Sequence, residues 1–229
     1  MLEWWRKIAP EENLLLLHGG DAQDFERIEF ANKVFIDDTR LQTRDHQREM
    51  QSYSAVFRAA SVWMKGKDFA EVYFAEYDHL PVTPELNAKQ SAMLLAESAD
   101  VLGHHVLRVD ATNQPHYLYH SANPEFAAYW RRITKRRDSA TVLSMFGSGS
   151  FWRREAFDAV AAVDEPFPFY LEIFLPTLAH HLGFRVRDFG AQNDFVFNLA
   201  DLTDRMEEAR LAGAWSLHPV KKFWRRAVH

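Results

Sequence analysis

The stretch VYFAEYDHLP, residues 72–81, decides how this chain reads. Val72, Tyr73 and Phe74 have the β-branched and aromatic composition of a buried strand, and Glu76 and Asp78 follow with one residue between them. Side chains at i and i+2 of an extended segment point the same way, so two carboxylates there repel each other. Burial beside an apolar strand also raises the pKa of Glu76. A positive partner removes both difficulties. Hard cations such as Mg²⁺ or Mn²⁺ prefer carboxylate oxygens, bind one or two of them and keep positions for substrate phosphates. The chain contains no cysteine, so disulfides and thiolate metal sites are excluded and any metal is held by oxygen or imidazole. The plainer reading of each acid alone is a helix cap or a solvated turn residue.

Working outward, strand-like and helix-like runs alternate. NLLLLHG (13–19), KVFIDD (33–38), EVYFAEYD (71–78), HHVLRVD (104–110), PHYLYH (115–120) and RVRDFG (185–190) read as strands. A helix is expected after Thr43 as cap, with Met50, Tyr53, Val56, Phe57 and Ala60 at helical spacing. A second runs from Thr83 to a stop at Gly103, and a third follows a cap at Ser121 or Asn123. Residues 141–163 read as a strand, a Gly-Ser loop and a helix that carries Trp152, Arg153 and Arg154. A last helix over 169–184 is bent by Pro176 and ended by Gly183. Alternation of this kind predicts an α/β fold, a mostly parallel sheet flanked by helices. Ligands of such sheets bind beyond the carboxyl ends of the strands, where Asp37, Asp38, Glu76 and Asp78 all fall.

At 229 residues, with 47% hydrophobic and 14% aromatic content, one domain is the expected organisation. The net charge of −5 gives no basis for nucleic-acid binding. MLEWWRKIAP lacks the apolar core of a signal peptide, and no apolar run approaches the roughly 20 residues of a membrane span. A cytoplasmic location is therefore expected. LEWWRK and KKFWRRAVH mix Trp with basic residues, a composition that also suits peripheral contact at the inner membrane face; the plainer reading is terminal aromatics packed on the body.

An apolar strand ending in acid-x-acid, in an α/β chain without a Walker loop, resembles the DXD motif of GT-A (Rossmann-like) glycosyltransferases, which transfer a sugar from a nucleotide diphosphate. Three further stretches are similar to that family in order and spacing. MFGSGSFWRREAFDAV (145–160) resembles the Gly-rich turn at the donor–acceptor junction, PFYLEIFLPTLAHHLGFRV (168–186) the acceptor-side helix whose first acid is often the catalytic base, and WSLHPVKKF (215–223) the C-terminal loop that supplies a metal-binding His and a Lys near the diphosphate. The first acid here is Glu, which leaves Asp78 as the expected direct ligand.

The resemblance implies one GT-A-like domain over 1–229, with a nucleotide-sugar half at 13–110 and an acceptor half with C-terminal tail at 111–229. It implies Mn²⁺ or Mg²⁺ held by Asp78 and His218. Donor contacts would come from Asp37, Asp38, Glu76, Gly147, Ser148, Gly149 and Lys221, and Glu172 would be the base acting on a hydroxyl acceptor (a glycan, a lipid-linked molecule or a small molecule). Each residue also has a plain reading: a packed loop histidine for His218, a solvated lysine for Lys221, a favourable helix-dipole charge for Glu172, an ordinary turn for 147–149. Asp164 and Glu165 are alternative bases in a more polar context. The basic run RRITKRR (131–137) is a solvated face or a site for an anionic group. Rival readings are a nucleotidyltransferase and a non-catalytic nucleotide-binding scaffold.

Overall fold

The computed structural model describes residues 2–43, 50, 52–163, 169–197 and 201–222. The chain opens with a short helix α1 (Leu2–Trp5), then β1 (Leu16–His18), α2 (Ala22–Arg27) and β2 (Lys33–Phe35). Asp21 starts α2 by accepting from the N–H groups of Gln23 and Asp24. Next come α3 (Ser52–Trp63), β3 (Glu71–Phe74), β4 (Leu80–Pro81), α4 (Leu86–Ala96), β5 (Val101–Gly103) and β6 (Leu107–Arg108). Helices α5 (Pro115–Ser121) and α6 (Pro124–Ile133) lead to β7 (Leu143–Ser144), β8 (Ser150–Arg153) and α7 (Arg154–Ala161). Helix α8 (Leu171–His181), β9 (Val186–Asp188), α9 (Met206–Leu211) and β10 (Ser216–Leu217) complete the described elements.

The architecture is mixed α/β, but the expected mostly parallel sheet is not what forms. The strands make several small sheets, of which the largest has four strands in the order β3-β8-β5-β9. Pairs β1–β2 and β5–β9 are parallel, whereas β3–β8, β5–β8, β6–β7 and β4–β10 are antiparallel. Within the four-stranded sheet β3, β5 and β9 therefore run one way and β8 runs against them. The chain reaches β8 from the Gly147–Gly149 loop, which already lies where β3 stops, so β8 has to run back.

Three further expectations are corrected. Residues 115–120 are helix α5, not a strand: Gln114 accepts from the Tyr117 N–H and Pro115 supplies a φ already suited to the first turn. The helix expected to reach Gly103 ends at Ala96, the chain turns through Ser98 at φ 47°, and Gly103 closes β5. Trp152 lies in β8, not at a helix start. Thr43 follows a short 3-10 turn (Thr39–Gln42), and the helix described beyond it begins at Ser52; residues 44–49 lie outside the described residues. Asn123, by contrast, caps α6 by accepting from the Glu125 N–H.

The main core lies between the sheet and α3, α6, α7 and α8. Trp152 is fully buried among Phe57 and Phe157, its Nε1–H donated to Ser150 Oγ at 2.8 Å. Truncating such a residue to Ala costs about 3–5 kcal/mol. A second cluster gathers Leu80, Val82, Leu202, Leu217 and Val220. Trp4 and Trp5 pack against it, and Trp4 Nε1–H donates to the Pro81 carbonyl at 2.7 Å. The N-terminal aromatics are thus packed on the body. The FWRR segment within residues 223–229 lies outside the described residues. No described helix is long and apolar enough to cross a membrane.

Candidate metal centre

Because β8 is antiparallel, its first residue lies beside the last residue of β3, with Phe74 opposite Ser150. The loop before β8 therefore arrives at the carboxyl edge of β3, where Gly149 N–H donates to Phe74 O at 3.0 Å and Glu76 N–H donates to Ser148 Oγ at 2.9 Å. Glu76 and Asp78 sit in the turn just past the strand, not on it. Beyond the turn, β4 pairs with β10, Leu80 opposite Leu217 and Pro81 opposite Ser216, which delivers His218 to the same place. Val220 N–H donates to Asp78 O at 2.8 Å and locks the two segments together.

The result is one group: ligand atoms of Glu76, Asp78 and His218 all lie within 4.8 Å of one another. His218 Nε2 stands 3.3 Å from Asp78 Oδ1, and His218 and Asp78 are both buried. His218 Nδ1–H donates to the Phe197 carbonyl at 3.0 Å, which turns Nε2 toward the acids. A backbone carbonyl on one imidazole nitrogen is the usual support for a metal-binding histidine. Tyr53 on α3 donates its hydroxyl to Glu76 Oε1 at 2.8 Å. The donor set of two carboxylates and one imidazole suits Mn²⁺ or Mg²⁺.

Burial raises the Glu76 pKa above the ordinary carboxylate value. The Tyr53 hydrogen bond opposes that rise, Asp78 and Glu172 add to it by repulsion, and His218 offsets it in part. Among the described residues, Glu76, Asp78 and Glu172 repel one another near the His218 imidazole, a repulsion relieved by a proton on Glu76 or by a dication.

Glu172 is brought here by Pro176. A proline has no N–H, so the carbonyl four residues earlier in the helix lacks its ladder partner. That carbonyl belongs to Glu172, and it accepts from Met145 N–H at 2.9 Å instead. Thr177 Oγ1 then bonds both the N–H and the C=O of Leu143 at 2.9 Å. The segment leading into the Gly147–Gly149 loop is thereby fastened to the first turns of α8. Gly147 passes directly under the carboxylate: a Cβ there would stand 3.4 Å from Glu172 Oε1. Asp164 and Glu165 lie outside the described residues.

Asp37 and Asp38 are not members of this group. Asp37 is exposed, while Asp38 accepts from the Arg40 backbone N–H and pairs with the Arg40 guanidinium. Those hydrogen bonds hold the Asp38 carboxyl below its usual value against the cost of burial. Lys221 is exposed three residues past His218, its N–H bound to Asp201 Oδ1 at 2.9 Å. Trp152 is closed inside the core. Arg136, from the basic run, spends its guanidinium on the carbonyls of His180, Gly183 and Phe184 at the end of α8. Sequence reasoning missed Tyr53, which it placed only as a core spacing, and His79, hidden beside Asp78. It took Glu76 as a donor contact, whereas Glu76 stands among the candidate metal ligands. No protein-family model matches this chain, and a search of curated proteins finds no match either.

Proposed function

We propose that this chain is a metal-dependent glycosyltransferase that moves a sugar from a nucleotide diphosphate donor to a hydroxyl acceptor. The observation that carries the reading is the convergence of Glu76, Asp78 and His218 at the carboxyl edge of β3, beside a glycine-rich loop and a third acid, Glu172. Asp78 and His218, with Glu76, would hold Mn²⁺ or Mg²⁺; when bound, such an ion offsets the charge that develops on the departing diphosphate. Gly147, Ser148 and Gly149 let backbone approach the donor closely, and Lys221 adds a positive charge for the same phosphates. Glu172 accepts the proton of the acceptor hydroxyl as that oxygen attacks the anomeric carbon, and the electrons of the broken bond leave with the diphosphate. Asp37 and Asp38 remain the proposed contacts to base or ribose.

Titration calorimetry of the parent and of Asp78→Ala with UDP and GDP, with and without Mn²⁺, tests this. Metal-dependent binding of a nucleoside diphosphate that is lost in the variant is the expected result. Unchanged affinity in the variant removes the carboxylate–histidine group from the account. A preference for triphosphates points to a nucleotidyltransferase, and no nucleotide binding points to a scaffold.

A further inference from the structure

His79 is fully buried, and both of its ring nitrogens are bonded to serines on different segments. Nδ1 lies 3.2 Å from Ser148 Oγ, in the glycine-rich loop, and Nε2 lies 2.8 Å from Ser216 Oγ, on β10 two residues before His218. Ser148 Oγ already accepts the Glu76 N–H, so its own hydrogen is available to His79 Nδ1. The Nε2–H then points at Ser216 Oγ. The ring also has no room to swing. The Cα of Gly149 lies against it, its ring centroid is 5.5 Å from that of His218, and Tyr73 closes another side edge-on at 6.0 Å.

The three segments joined at His79 are the three that bear on the acids and the imidazole: the 76–78 turn, the 147–149 loop and the β10 strand. We propose that His79 is a positioning residue that sets the separation of Asp78, Glu76 and His218, and hence the affinity of the group for a divalent cation. The inference rests on the cation reading of that group. It assigns His79 no contact with the ion, because both nitrogens are occupied. Its effect travels through two hydroxyls, Ser148 to the Glu76 backbone and Ser216 to the strand that carries His218. Partners bonded to the ligands themselves typically change metal affinity by about 10–100-fold, and His79, one hydroxyl further out, falls at the lower end of that range.

The test is a titration of Mn²⁺ alone, followed by the loss of the free-ion electron paramagnetic resonance signal, on the parent and on His79→Ala, His79→Asn, His79→Gln, Ser148→Ala and Ser216→Ala. Unfolding temperature is measured on the same samples. His79→Ala is expected to weaken Mn²⁺ by about tenfold or more, and each serine variant to weaken it in the same direction. Asn places an amide near Nδ1 and Gln near Nε2, so each keeps one of the two bonds and recovers part of the affinity. Should the His79 variants fail to fold, the serine variants, which each lose only a hydroxyl, give the answer. A parent that binds Mn²⁺, with variants that are less stable yet bind it equally well, overturns the positioning role and leaves the metal reading intact. A parent that does not bind Mn²⁺ overturns the metal reading, and this inference with it.

Discussion

Replacing Gly149 by Ala probes how tightly the centre is packed, and the cost can be worked from two parts. Gly149 has φ +79°, a region where an L-residue pays about 1–2 kcal/mol for the contact of its Cβ with backbone. The new Cβ would also stand 2.0 Å from Cε1 and 2.6 Å from Nδ1 of His79. Both ring nitrogens are bonded and the ring is buried, so it cannot retreat without breaking a bond to Ser148 or Ser216. Overpacking of that kind adds about 1–3 kcal/mol, for a total near 2–5 kcal/mol. Gly213 supplies the control: its φ is +89°, and nothing lies within 4 Å of a Cβ built there. Gly213→Ala should therefore cost only the conformational part, about 1–2 kcal/mol. Urea unfolding of both variants, compared at unchanged m, reads the difference. In a chain of this size each kcal/mol appears as about 2–4 °C in Tm. Equal losses for the two variants would refute the argument, because they would mean that the His79 ring yields freely.

Glu172→Gln should leave Mn²⁺ and nucleoside diphosphate affinity nearly intact while lowering sugar transfer by about 10²-fold or more; a variant that transfers at the parental rate removes Glu172 as base. Protons and Mn²⁺ compete for Glu76, whose pKa is raised by burial, so Mn²⁺ affinity should begin to fall, on acidification, at a pH above the ordinary glutamate value of 4.5. In the metal-free protein the folded state holds that proton more tightly than the unfolded one, so Glu76 should make stability decline as pH rises from 4.5 through its folded pKa. Potentiometric Mn²⁺ titrations and unfolding curves across that window check both, and a Glu76→Gln variant with the same two profiles would contradict them.

How much of this was legible beforehand depended on punctuation. Apolar runs bounded by Gly, Asp or Lys located β1, β2, β3 and β9, and Asn123 before Pro124 marked the start of α6. PHYLYH reads as a strand because Tyr117, Leu118 and Tyr119 have strand-like composition, while the tertiary burial of His120 and the Gln114 cap select a helix. Strand β8 was absorbed into the following helix because Arg153 ends the strand and caps α7 at once, with no turn residue between. Ser98 carries a positive φ without the Gly that usually announces it, so the break before β5 left no mark. At the site, Asp78, His218 and Glu172 were legible as residue types in order along the chain. The roles of Tyr53 and His79 depend on pairings across 23 and 137 residues, which no local pattern encodes.

The reversed strand β8 also bears on how the protein is made. Its partners on either side, β3 and β5, both precede it in the chain. A ribosome that has released Phe74 must still add the residues up to Ser150 before β3 can be paired, which takes about 4–15 s at the usual 5–20 residues per second. Throughout that interval Val72, Tyr73 and Phe74 present an open apolar edge, the kind of surface on which nascent chains associate wrongly. Helices such as α3 and α4 can form meanwhile from local contacts, yet the centre of the sheet closes only when β8 arrives, and the strand that carries His218 arrives later still. The edge of β3 is therefore open to a holding chaperone throughout that interval, and slowing translation between Phe74 and Ser150 should lower the yield of native protein more than slowing it after Arg153.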